Sequence, residues 1–109
     1  TLLFTGASAS LRGKANFGAF NSAKGALRNL AQAIAKEYAE NSIHVGHVIV
    51  DGGLAGDRIK NRVPDFNERV QEGKLIDIES VTDAYMFLYN QNKHAWTFEL
   101  DVRTFRENW

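Results

Sequence analysis

In the run "FGAFNSAK", Lys24 stands one helical turn after Phe20, so a helix there turns an ammonium and an aromatic ring toward the same place. An ammonium offers charge and three hydrogen-bond donors, whereas a phenyl ring offers no labile proton. The plain alternative is an amphipathic helix with Phe20 in the core and Lys24 in water. Ser8 and Ser10 follow an apolar run. At a strand end such hydroxyls can meet a ligand, or they can bond their own backbone. The second reading suits Ser10, and Ser8 stays open. Asp51-Gly52-Gly53 follow a second apolar run, as a turn whose backbone could approach a ligand or merely reverse the chain. Arg58 and Lys60 fit either an acidic substrate or, more simply, a solvated face. His44 and His47 lie three apart in a strand-like run, so they point to opposite faces. His94 is alone, and no set of His, Asp and Glu has metal-ligand spacing, so no metal is expected. With no cysteine, thiolate chemistry and disulfides are excluded.

The elements that must position these residues follow from hydropathy. "TLLFTG" is a short apolar run that suits a strand buried on both faces. Asn16 is a candidate cap for a helix over about 17–40, in which Phe17, Phe20, Leu27, Leu30, Ile34 and Tyr38 recur at helical spacing. Asn41 suits a left-handed stop. "IHVGHVIV" (43–50) is β-branched and reads as a buried strand, after which "DGGLAG" breaks regular structure. Residues 55–74 are charged and read as a loop plus a short helix, with Pro64 in its first turn. Asp77 caps a further helix with Ile78, Val81, Tyr85 and Leu88 on one face. "WTFELDV" (96–102) alternates as a third strand. Trp96 and Trp109 read as core or interface packing. Strand, helix, strand, helices, strand is the order of a parallel α/β sheet with crossovers.

Composition agrees. Of 109 residues, 44% are hydrophobic and 24% charged, a soluble globular balance in one domain or part of one. Thirteen basic residues meet thirteen acidic ones, so neither nucleic acid nor an anionic membrane is an expected partner. No apolar run is long enough to span a bilayer, and a cytoplasmic location is expected. The only methionine is Met86, and the chain opens in an apolar run. Residues 1–109 therefore read as a fragment, a processed product, or part of something longer.

With their flanks, these residues resemble the C-terminal half of the short-chain dehydrogenase/reductase family, a Rossmann-type fold using NAD or NADP. Lys24 fits that family's lysine, "GALRNLAQAIAKEYAENSIHVGHV" its helix and following strand, "VDGGLAG" its turn near the nicotinamide, "DIESVTDAYMFL" its penultimate helix and "WTFELDV" its last strand. The resemblance covers nearly all 109 residues and lacks the half that carries the glycine-rich phosphate loop. It implies an α/β fold class: the C-terminal part of one Rossmann-type NAD(P)-binding domain over 1–109, with three strands and about three helices.

The family's tyrosine donates a proton to the substrate oxygen, its lysine holds the nicotinamide ribose, and its serine bonds the substrate oxygen. Here Phe20 stands at the Tyr position and Ala7 at the Ser position, thirteen residues earlier. No proline stands at the turn with Gly52 and Gly53, and the pairing of "GASASLRG" with "WTFELDVR" looks like a divergent bacterial-type subgroup in which this same Phe is expected. Loss of a positioned general acid costs about 10²–10⁴-fold in rate. The resemblance implies Lys24, Asp51, Gly52, Gly53 and Leu54 at the cofactor, with Ser8 as a possible substitute hydroxyl. Two functions follow. One is an NAD(P)-dependent oxidoreductase on a small carbonyl or alcohol, active at full length and inactive as this fragment. The other is a noncatalytic dinucleotide-binding or oligomerisation module. Expected partners are the missing N-terminal half and a second copy, packed through helix 17–40 with Gly25, Ala26, Ala31 and Ala35 allowing close approach.

Overall fold

The computed structural model describes residues 1–108; Trp109, expected in packing, lies outside the described residues. Strand β1 (Leu2–Ala7) leads through a 3-10 turn (Ser8–Ser10) and a loop to helix α1 (Gly18–Glu37). A second 3-10 turn (Ala39–Asn41) returns the chain to β2 (Val45–Asp51). Then come β3 (Gly53–Leu54), α2 (Asp57–Lys60), α3 (Phe66–Gln71), β4 (Leu75–Ile76), α4 (Ile78–Tyr89) and β5 (Glu99–Arg103). The main sheet is parallel, in the order β1-β2-β5. Leu2 through Ala7 pair with Val45 through Val50, and His47 through Asp51 with Glu99 through Arg103. This is an α/β fold of Rossmann type, with one helix more than the sequence pattern suggests.

Strand β2 is central, and all but one of its residues are buried, which is why it reads as a continuous apolar run. Strand β1 departs from expectation. Of its residues only Gly6 is buried, because β1 is a sheet edge with a neighbour on one side alone. The apolar core is small: Ala31, Val45, Val48, Ile49, Ile76 and Leu88. Ala31 is covered by its own chain, so it is not free to meet a second helix.

The helix ends also differ. Asn16 is not the cap: it sits at φ 67°, Phe17 takes the cap position, and no side chain caps α1. At the far end the chain tightens into the 3-10 turn, so the left-handed residue is Ser42 (φ 57°) rather than Asn41. "DGGLAG" is not wholly irregular, since Gly53 and Leu54 pair in parallel with Leu75 and Ile76. Residues 55–74 hold two short helices, and Pro64 precedes the second instead of entering its first turn. Asp77 does cap α4, its Oδ2 accepting from the Ser80 amide at 2.8 Å. The third strand starts later than expected. Trp96 stacks on His44 at 5.0 Å, and Thr97 exchanges hydrogen bonds with the Gln91 side chain before β5 begins.

Candidate functional site

Ala7 ends β1 and Asp51 ends β2, and because these strands are adjacent and parallel, both ends emerge on one edge of the sheet. Open α/β sheets hold ligands outside the carboxyl ends of their strands. A cleft of about 610 Å³ lies there, within the usual range for small molecules. The strand ends supply Ala7, Val50, Asp51 and Gly52; the loop supplies Ser8, Arg12 and Lys14; α1 supplies Phe20 and Asn21, with Phe17 just before it. The C-terminal residues Glu107 and Asn108 complete the wall.

The loop is shaped by bonds to its own strand and to α1. Ser10 Oγ donates to the Ala7 carbonyl at 2.7 Å, a loop serine serving its own backbone. Asn21 Nδ2 donates to the Arg12 carbonyl at 2.6 Å and to that of Ala9 at 3.3 Å, while its Oδ1 accepts from the Lys14 amide at 3.4 Å. Ser8 Oγ makes no side-chain hydrogen bond among the described residues, so its hydroxyl remains available in the cleft.

Asp51 is 3% exposed. A buried carboxylate needs a charged or hydrogen-bonding partner. Arg12 Nη2 donates to its Oδ1 at 3.2 Å and Oδ2 at 3.3 Å, and Arg103 Nη1 lies 3.7 Å from Oδ2. Beside it Gly52 takes φ 144°, a conformation side chains rarely adopt. Lys24 Nζ donates to the Thr5 carbonyl at 2.9 Å, and its ammonium lies 6.0 Å from the Phe20 ring centroid. It stands beside the cleft wall rather than in it, with two further protons to donate.

Behind the site, three elements meet in a charged network. Arg28 Nε and Nη2 each donate to Glu99 at 2.8 Å, and His47 Nδ1 lies 2.9 Å from Glu99 Oε2. The Arg28 hydrogen bonds, foremost, hold the Glu99 carboxyl below the usual carboxylate range against the opposing effect of burial, and His47 adds to them. A carboxylate only accepts, so His47 Nδ1 carries the proton. The fully buried ring packs against Gly6, and its Nε2 has no partner among the described residues. His44 faces elsewhere, its Nε2 donating to the Thr97 carbonyl at 2.9 Å.

Of the residues expected at a site, Ala7, Ser8, Phe20, Asp51 and Gly52 meet at the cleft, with Lys24 adjacent. Gly53 and Leu54 do not line this cleft; they pair with Leu75 and Ile76 of β4. Sequence reasoning missed Arg12, Lys14, Asn21 and Glu107. A signal for Arg12 existed: an acid ending a buried strand requires a cation nearby.

Among the described residues no helix is long and apolar enough to cross a membrane, and no group of His, Asp and Glu has the arrangement of a metal site. No protein-family model and no curated protein matches the chain. It is similar to a solved structure, a short-chain dehydrogenase from Rhodopseudomonas palustris, at 40% identity over 93% of this chain with a TM-score of 0.65. The chain spans about a third of that protein, 36% of its length. A parallel sheet with its cleft at the strand ends, joined to 40% identity with a short-chain dehydrogenase, supports the short-chain dehydrogenase/reductase family for this chain.

Proposed function

We propose that this chain is the C-terminal part of an NAD(P)-dependent oxidoreductase of the short-chain type, acting on a small carbonyl or alcohol. The observation that carries this reading is the gathering of Ala7, Ser8, Phe20, Asp51 and Gly52 in one cleft at the ends of parallel strands. The residues fit a nicotinamide nucleotide. Lys24 keeps two donors beyond its bond to Thr5 for a ribose, and the Gly52 backbone has no Cβ to obstruct close approach. Bound NAD(P) supplies or accepts hydride. The chain's own part is to bind, to orient and to handle the proton. Phe20 and Ala7 have no proton to give, so the proton comes from water near Ser8 or from another group.

A second reading has an observation of its own. The two positions where acid chemistry is expected are apolar, and Lys24 is engaged by a backbone carbonyl. A noncatalytic dinucleotide-binding or oligomerisation module fits those facts. Leu30 and Tyr38, exposed on and just after α1, support a homo-oligomer under either reading.

The test is a fluorescence titration of the full-length protein with NADH and NADPH, with Lys24→Ala as control, followed by turnover assays on aldehydes, ketones and alcohols. Saturable binding weakened by the substitution, with turnover, supports the oxidoreductase. Binding without turnover that Phe20→Tyr with Ala7→Ser restores supports the module. Absence of binding to either nucleotide refutes both as dinucleotide proteins.

A further inference from the structure

We infer that the cleft selects a ligand with a carboxylate beside an apolar or aromatic body, and that Arg12 and Lys14 receive the carboxylate. This deepens the proposed function, since it reads the cleft as the substrate site.

Cations on an exposed loop are ordinarily solvated and mobile, but these two are held. Asn21 reaches from α1 to the backbone at both positions, accepting from the Lys14 amide and donating to the Arg12 carbonyl. Asp51 takes one corner of the Arg12 guanidinium with both of its oxygens. The Lys14 ammonium sits 5.0 Å from the Phe17 ring centroid. Each cation still has donors to give. Arg12 Nε and Nη1 have no partner among the described residues, and Lys14 has no ion pair among them. Planar donors fixed in advance suit a carboxylate, because little freedom is lost when it binds.

Neither acid of the wall pairs with Lys14 among the described residues. Asp51 is enclosed by Arg12 and Arg103. Glu107 belongs to the strand-end side, with Oε2 3.6 Å from where a Cβ on Gly52 would stand. Lys14 and Phe17 belong to the loop-and-helix side. Phe17 and Phe20 line the same cleft at 47% and 48% exposure and together offer a surface for an apolar body.

The probes are benzoate and its neutral near-isostere benzamide, titrated calorimetrically into the full-length protein at low salt, with an NADH titration alongside. Benzoate should bind about tenfold more tightly than benzamide, the scale of a charge-assisted hydrogen bond at a half-exposed site. Lys14→Gln and Arg12→Gln should each remove most of that preference and leave benzamide unchanged. Arg12→Gln removes the hydrogen bonds to buried Asp51 and leaves it Arg103 alone, which loosens the loop; Lys14→Gln breaks no ion pair and keeps the test decisive. Equal affinities, no binding of either probe, or a preference unchanged in Lys14→Gln overturns the inference. A benzoate preference without NADH binding supports it and refutes the oxidoreductase. NADH binding without the preference refutes it alone.

Discussion

Replacing Gly6 by alanine should destabilise the protein through one contact. A Cβ there would stand 2.6 Å from His47 Cε1, and closer still to Nε2. Ordinary carbon contacts lie at about 3.5–4 Å, so the ring must move by roughly 1 Å. It is poorly free to do so. The ring is fully buried, Nδ1 is held by Glu99 at 2.9 Å, and Glu99 is held twice by Arg28. Overpacking of this kind costs about 1–3 kcal/mol, and the rigid ring places Gly6→Ala at the upper end. Alanine restricts the unfolded chain and returns about 0.5–1 kcal/mol. The net loss is about 2 kcal/mol, which at a urea m-value of about 1–3 kcal/mol/M lowers the midpoint by about 1 M. The assay is urea unfolding followed by near-ultraviolet circular dichroism. The double variant with His47→Ala supplies the control. Once the ring is gone the clash is gone, so the double variant should lose less stability than the two single losses combined. A Gly6→Ala midpoint within about 0.2 M of the parent, or strictly additive losses, would refute the reasoning.

Glu99 gives a pH dependence. Its carboxyl is held below the usual value by the Arg28 hydrogen bonds, so its contribution is fully present above the unfolded value, about 4.3, and is lost as pH falls through the folded one. Urea midpoints measured from pH 6 downward should therefore fall steeply below about pH 4, and Glu99→Gln should flatten that fall. Asn21→Ala removes the bonds that tie the loop to α1; about 1–2 kcal/mol is expected, with faster limited proteolysis within residues 8–16. Unchanged cleavage would show that the loop does not depend on them. Gly52→Ala forces a side chain into φ 144°, and a loss of about 1–3 kcal/mol in urea unfolding is expected whatever the local space.

What the sequence made legible was whatever depended on near neighbours or on burial from both sides. Strand β2 is rich in β-branched residues and buried along nearly all its length because it has a strand on each flank. The Asp77 cap needed only Ser80, three residues on. Strand β1 carries a similar apolar run, but its second flank is open, and composition alone does not separate an edge from a centre. Asn16 has the right residue type for a cap, yet the start of α1 is fixed by Asn21 bonding across the loop, a tertiary contact with no local signature. The pair Arg12 and Asp51 is separated by 39 residues and is brought together only by the parallel pairing of β1 with β2. The placing of Ala7, Ser8 and Phe20 near one another followed from the family resemblance, and they meet at the cleft. Gly53 and Leu54 came from the same resemblance; they pair with β4 and do not line this cleft.

These departures bear on what the cleft can do. The hydroxyl of Ser8 is a weak acid, and the Phe20 ring occupies the place where the family resemblance expects a phenol. Lys24 does not compensate directly, since its ammonium is turned to the Thr5 carbonyl and stands 6.0 Å from the ring centroid. If hydride is transferred here, the chemical step lacks the roughly 10²–10⁴-fold that a positioned acid contributes. Grip on a remote carboxylate by Arg12 and Lys14 cannot replace that acid, because it acts equally on ground state and transition state and so lowers KM without raising kcat. It can fix the reacting carbon against the strand ends, where orientation has its own value in rate. On the proposed reading, a cleft with Phe20 at the acid's position and held cations at Arg12 and Lys14 suits selectivity more than speed.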